Sequence, residues 1–216
     1  MKRSFGFCLL VLGLLAVPQA WSLKEIEFDG ALVWIGNADP LGAPSPLLPA
    51  FGVSFPVLER RRWQLEVGGL LTGTYYEYTG GRAVPSDPEF RDFAVAAILA
   101  DARLAFTIPL GRSISFGLAG GLILYLPIPI PLFSDAWSEL GPTLGYMLAR
   151  SLYPETGLSV RFPILPGLDL RLAARAGWPL LHLLDAEGLP FWDQMIVSGV
   201  LGVIYRPPAK GGQTKS

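Results

Sequence analysis

Hydrophobic and polar side chains alternate with a period of two along much of this chain. From Trp63 to Tyr75 the odd positions carry Trp63, Leu65, Val67, Leu71 and Tyr75, while Gln64, Glu66, Thr72 and Thr74 occupy the even ones. From Ile114 to Leu126 the even positions are Ile114, Phe116, Leu118, Leu122, Leu124 and Leu126, interrupted only by Gly120. From Leu168 to Leu180 an apolar even face opposes Asp169, Arg171 and Arg175, charges that a helix would scatter around its circumference. Weaker alternation covers Ile26 to Trp34, Phe51 to Val57, Ile98 to Ile108 and Met195 to Tyr205. The stretch Leu144 to Phe162 alternates cleanly only at its end, where Leu158, Val160 and Phe162 oppose Ser159 and Arg161. Its first half, Leu144 to Tyr153, is compatible with a short helix or an irregular strand.

Eight strands follow, and the lengths of their connections set the topology. Segments 36–48, 79–91, 127–141 and 183–193 are long; 59–62, 109–112 and 163–167 are short. Long alternating with short is the rhythm of an up-and-down barrel with tight turns at one end and larger loops at the other. Trp63 and Tyr75 lie twelve residues apart on one face. At about 3.3 Å per residue and a tilt near 45° they span roughly 28 Å, close to a bilayer's hydrocarbon thickness. Two aromatic girdles are expected: Trp34, Tyr75, Tyr76, Tyr78, Phe93 and Trp178 at the outer rim, and Phe55, Trp63, Phe106, Phe116, Phe162 and Tyr205 at the inner one. Phe93 and Phe106 fall in opposite phases, which requires a bulge between them. The fold class is therefore all-β, an eight-stranded antiparallel up-and-down transmembrane barrel. The pattern resembles the small eight-stranded outer-membrane barrels of the OmpA, OmpX or OmpW type over nearly the whole chain after its first residues, without a motif matched residue by residue. The resemblance implies a bacterial outer-membrane location, contact with outer-membrane lipid, and delivery by the export and barrel-assembly machinery. The last strand ends at Tyr205 with a tail behind it, so the usual terminal aromatic signal would be internal.

Composition sharpens this picture. Apolar residues make up 51% and charged residues 16% of 216, with a mean hydropathy of +0.42; soluble domains carry roughly 25% charge. The 25 glycines and 20 prolines suit strands and turns better than a bundle of membrane helices. Ser113 to Ser134 is uncharged, yet Pro127, Pro129 and Pro131 spoil it as a helix. A secreted soluble β-sandwich or lipocalin-like barrel would show more polar side chains on one face of every strand. Lys2 and Arg3 precede an apolar run from Phe5 to Val17 and a small-residue zone at Pro18 to Ser22, the layout of a cleavable leader over residues 1–22. The barrel domain then covers 23–206 and a flexible tail 207–216. Without the leader, 15 Lys+Arg face 18 Asp+Glu, a net of −3 from the totals of 17 and 18. No basic excess points to nucleic acid, and Cys8 lies inside the leader.

The candidate chemistry is internal charge. Glu25, Glu27 and Asp29, Glu66, Asp101 and Arg103, and Asp169, Arg171 and Arg175 are expected to face the lumen. An eight-stranded barrel is only wide enough for side chains, so Glu25, Glu27, Glu66, Asp101, Arg103, Arg171 and Arg175 are expected to form an ion-pair network; a conducting polar channel is the alternative use. No catalytic, cofactor-binding or metal site is expected. His182 is the lone histidine, among leucines with no nearby serine; a lipid A-modifying enzyme is the alternative it leaves open. The pairs Gly68-Gly69 and Gly120-Gly121 lie mid-strand and suit close packing or bending of the wall. The apolar segments 127–141 and 189–192 either bind a small hydrophobic ligand or partner, or lie against lipid.

Overall fold

A computed structural model describes residues 25–38, 47–86, 91–111, 113–180 and 190–207. The expected leader, His182 and most of the tail lie outside these residues. The described strands are β1 (Ile26–Ile35), β2 (Leu47–Arg60), β3 (Trp63–Thr79), β4 (Arg82–Ser86), β5 (Phe93–Pro109), β6 (Ser115–Pro131), β7 (Leu152–Leu165), β8 (Leu168–Gly177) and β9 (Ile196–Tyr205). A helix, α1 (Leu140–Ala149), stands between β6 and β7. Eight strands pair antiparallel in the order β2-β1-β9-β8-β7-β6-β5-β3, and β2 pairs with β3 to close the ring. β4 is the ninth, an extension hairpinned onto the outer end of β3 through Gly80 and Gly81. Both glycines have positive φ, 58° and 82°, the backbone that a two-residue hairpin turn demands.

The wall is tilted, and its register says by how much. From Ile35 the pairings run Ile196, Gly177, Glu155, Gly121, Arg103, Glu66 and Pro56. Pro56 stands two residues past Ser54, whose partner on β1 is Glu27. One circuit therefore returns to β1 ten residues lower, at the level of Glu25, a stagger that fits a closed, tilted barrel of this strand number.

Strand alternation sorts the side chains by polarity in the reverse of a soluble protein. Outward positions are apolar and open: Phe28 is 58% exposed, Phe51 71% and Leu71 59%. Inward positions carry the charges: Glu27, Glu66, Asp101, Arg103, Arg171 and Arg175 are all buried. A wall that is greasy outside and ionic inside is matched to hydrocarbon around it. Trp63 and Phe106 face each other across β3 and β5 with ring centroids 4.7 Å apart at the lower rim.

The strands depart from the expected layout at the outer end. Tyr76 and Phe93, expected in the outer girdle, point inward and are buried. No bulge separates Phe93 from Phe106, because both β5 ladders run in unbroken register; the two rings lie simply on opposite faces. Residues 127–131, read as the start of a loop, continue β6 against β5. The three prolines fit because of where their missing N–H groups would point. The amide of Tyr125 donates to Ser151 on the β7 side and that of Leu132 to Asp92 on the β5 side, so odd positions aim away from β5. The β6–β7 ladder ends at Leu124. Pro127, Pro129 and Pro131 thus lose donors only along an unpaired edge, which they also protect from strand addition. Of the two options for Leu144 to Tyr153, the helix is the one formed, over 140–149.

The upper interior is a conventional apolar core. Val33, Tyr76, Phe93, Leu99, Tyr125 and Tyr153 pack with Met147 of α1, which seats the helix in the outer mouth. The Tyr76 and Tyr125 hydroxyls meet at 3.3 Å, and the Tyr125 and Tyr153 rings are edge-on at 6.3 Å.

Candidate functional site

The charged lumen is built by one inward residue in two on neighbouring strands. Glu27 and Asp29 come from β1, Glu66 from β3, Asp101 and Arg103 from β5, Glu155 and Arg161 from β7, and Asp169, Arg171 and Arg175 from β8. Arg171 is the hub. Its Nε donates to Glu27 Oε1 at 2.7 Å and its Nη1 to Glu66 Oε2 at 2.9 Å. Glu66 Oε2 also accepts from Arg103 Nη2 at 3.0 Å. Arg103 Nε lies 3.1 Å from Asp101 Oδ1, whose other oxygen is 3.8 Å from Arg175 Nη1. Arg175 Nε stands 4.0 Å from Glu155 Oε1. The Ser54 hydroxyl lies 3.3 Å from both Glu27 Oε2 and Asp29 Oδ2.

A second group closes the short-turn end. Arg161 donates to Glu25 at 3.0 Å and to Asp169 at 2.7 Å, while Arg206 reaches the same two carboxylates at 3.1 Å each. Gln64 Nε2 adds a 3.0 Å bond to Glu25. Burial works to raise the Glu25 carboxyl, but hydrogen bonds and charge from Arg161, then Gln64 and Arg206, outweigh it and hold it at about 2. Arg161 and Arg171 are direct cross-strand partners of like charge. Each is tolerated because it faces its own pair of carboxylates.

Small residues make the room. Gly202 lies inward on β9 between Arg171 and Asp29, and a Cβ there would collide with the Glu27 carboxylate and stand 2.9 Å from Asp29 Oδ1. Gly121 is opposite Arg103, where a Cβ would fall 2.8 Å from the Arg103 Cα. Between the charged side chains remains a cavity of 40 Å³ lined by Glu66, Arg103, Glu155, Arg171 and Arg175 among others. That suffices for a water or two and for no organic substrate.

Of the seven residues expected to pair, Glu27, Glu66, Asp101, Arg103, Arg171 and Arg175 come together around Arg171 and Arg103, whereas Glu25 pairs in the separate group at the short-turn end. Asp29 and Asp169, read as lumen-facing, join them. Glu155, Arg161 and Arg206 were not assigned. Glu155 follows a helix that masks the alternation, and Arg206 lies one residue beyond β9. Arg161 was legible from its phase opposite Val160. Among the described residues no group of three His, Cys, Asp or Glu side chains is placed to hold a metal ion.

The outer mouth holds a second polar cluster that the sequence did not announce. Asp193 is buried and accepts from the Ala38 amide at 2.9 Å and from Arg82 Nη2 at 2.9 Å. Tyr146 of α1 accepts from Arg82 Nε at 3.2 Å and from Gln194 Nε2 at 2.9 Å. Four separate segments of the long-loop end are thereby tied across the opening.

No family model and no curated protein matches the chain. Solved structures do. The chain is similar to small β-barrels of bacterial outer membranes. The N-terminal β-barrel domain of Pseudomonas aeruginosa OprF aligns at 8% identity and a TM-score of 0.45, over 84% of this chain and 96% of that one. Ail, the attachment invasion locus protein of Yersinia pestis, aligns at 10% and 0.48, over 85% and 97%. The outer membrane enzyme PagL aligns at 14% and 0.41, over 84% and 99%.

Proposed function

We propose that the protein is a bacterial outer-membrane barrel with a closed lumen and a structural or adhesive role in the envelope. The observation that carries this reading is the inverted polarity of the wall, apolar outward and ionic inward, around a charged level that keeps a cavity of only 40 Å³. Outer-membrane lipid surrounds the belt, and export and barrel-assembly machinery deliver the chain. Most of the lumen charges face an opposite charge within 4 Å, which argues against a polar channel. Passage of a small hydrophobic molecule would require α1 to leave the mouth, so a structural or adhesive role fits the geometry better. The reading is non-enzymatic.

Cell fractionation tests the location: the protein should sediment with outer membranes and shift its gel mobility on heating, and recovery in a detergent-free soluble fraction would contradict it. Planar-bilayer recordings should show no steady conductance. The enzymatic alternative is tested by mass spectrometry of lipid A, which should be identical with the wild type, the His182→Ala variant and no protein. A modification present with wild type and lost with His182→Ala would replace the structural reading by a catalytic one.

A further inference from the structure

The turn joining β2 to β3 carries three consecutive arginines, Arg60, Arg61 and Arg62, all exposed. Their placement follows from the strand geometry. The β2–β3 register slips between Pro56 and Leu58, and the slip moves Arg60 onto the outward face directly opposite Trp63. Trp63 is half exposed and tilted against Phe106 in the lower aromatic girdle, the level at which a bilayer changes from hydrocarbon to headgroups. The guanidinium of Arg60 is thus set beside the girdle, and those of Arg61 and Arg62 lie one turn beyond it. Arg61 holds a left-handed backbone with φ 55°, a conformation that Gly or Asn adopts at less cost in a two-residue turn. A long cation kept at such a position points to a use for its charge.

The acidic side chains described at this end are already engaged. Glu25 and Asp169 are shared between Arg161 and Arg206, and Glu59 has a partner of its own. No ion pair joins Arg60, Arg61 or Arg62 to an acidic side chain among the described residues. Arg61 and Arg62 also line, opposite the carboxylates Glu25, Glu59 and Asp169, an open vestibule of 570 Å³ at the short-turn end.

We propose that this basic turn is a docking surface for anionic phospholipid headgroups in the leaflet at the short-turn end. The inference rests on the lipid-facing reading of the wall. Three guanidiniums at headgroup depth, with no acidic partner among the described residues, complement a phosphodiester, and basic side chains near a bilayer surface favour anionic lipid over zwitterionic. The attraction is screened within a Debye length, so it belongs to lipids touching the turn.

The full chain, folded into phosphatidylcholine vesicles, is examined by electron paramagnetic resonance with trace spin-labelled phosphatidylglycerol or phosphatidylcholine. Both labels should show a motionally restricted population, which reports the lipid-facing wall. At low salt phosphatidylglycerol should be restricted several-fold more strongly. That preference should approach parity at about 1 M salt and in the triple variant Arg60→Gln, Arg61→Gln, Arg62→Gln, and should survive in the corresponding triple Lys variant. Arg61→Asn suits the turn backbone and should lower the preference in part, so the test does not depend on the triple variant folding. Inorganic phosphate at constant ionic strength should leave the preference intact; its loss would reassign the turn to free phosphate. Equal restriction of the two lipids, or a preference unchanged in the variants, overturns the proposal. Absence of any restricted lipid overturns the membrane reading beneath it.

Discussion

Arg171 concentrates the energetics of the interior, because it is the common partner of Glu27 and Glu66. Arg171→Met should therefore leave the buried Glu27 carboxylate without its cation and Glu66 with Arg103 alone, and lower stability by about 3 to 5 kcal/mol. Leu172→Arg, one residue on, should instead oppose insertion by roughly 2 to 4 kcal/mol near the midplane. Urea titrations of the two variants in lipid vesicles compare them, and a neutral Arg171→Met would deny the network its structural weight. Gly202→Ala tests the packing side of the same site. Its methyl group must displace Glu27 from Arg171, so it should destabilise although it adds apolar surface. At the short-turn end, Glu25 links stability to pH. Its folded carboxyl is held at about 2 against an ordinary 4.5. Its contribution is thus complete above about 4.5 and is lost as pH falls toward 2. Wild type should lose stability relative to Glu25→Gln across that window, and parallel pH profiles would contradict the bond to Arg161.

At the scale of elements, α1 and the hairpin of β3 and β4 close the outer mouth without belonging to the wall. Met147→Asp should unseat α1 by placing a charge among Tyr125, Tyr153 and Phe93. The expected result is faster protease cleavage of the long-loop end with heat-modifiable mobility retained. Loss of the folded band altogether would mean that cap and wall fold as one unit. This end is also where the sequence was hardest to read, for a physical reason. Within the belt each strand has lipid on one side and lumen on the other, so period two is imposed, and β1 and β9 were legible almost to the residue, β6 as far as Leu126 and β8 from its start at Leu168. Above the belt that contrast fades. Ala83, Val84, Pro85 and Ser86 of β4 are all buried irrespective of phase, and Tyr76 and Phe93 turn inward because the upper lumen is apolar. The network was legible wherever charge interrupted an apolar alternation, as at Arg171 and Arg175. It was hidden at Glu155, just after the helix, and at Arg206, where pairing had ended.

For the whole molecule, the central claim is that the wall faces lipid and the lumen holds the polar groups. β6 is the strand on which to test it, since neither of its faces bears a charge whose removal would unfold the barrel. Single cysteines at residues 118 to 120 and 122 to 126, in a chain with Cys8 replaced by Ser, carry a nitroxide label after folding into vesicles. Collision with dissolved oxygen, which partitions into hydrocarbon, is measured against collision with a water-soluble nickel complex. The account predicts high oxygen and low nickel accessibility at 118, 120, 122, 124 and 126, with low oxygen accessibility at the labelled odd positions between them. Nickel accessibility at the even positions equal to that of an exposed turn would mean that the apolar face meets water, and would contradict the account.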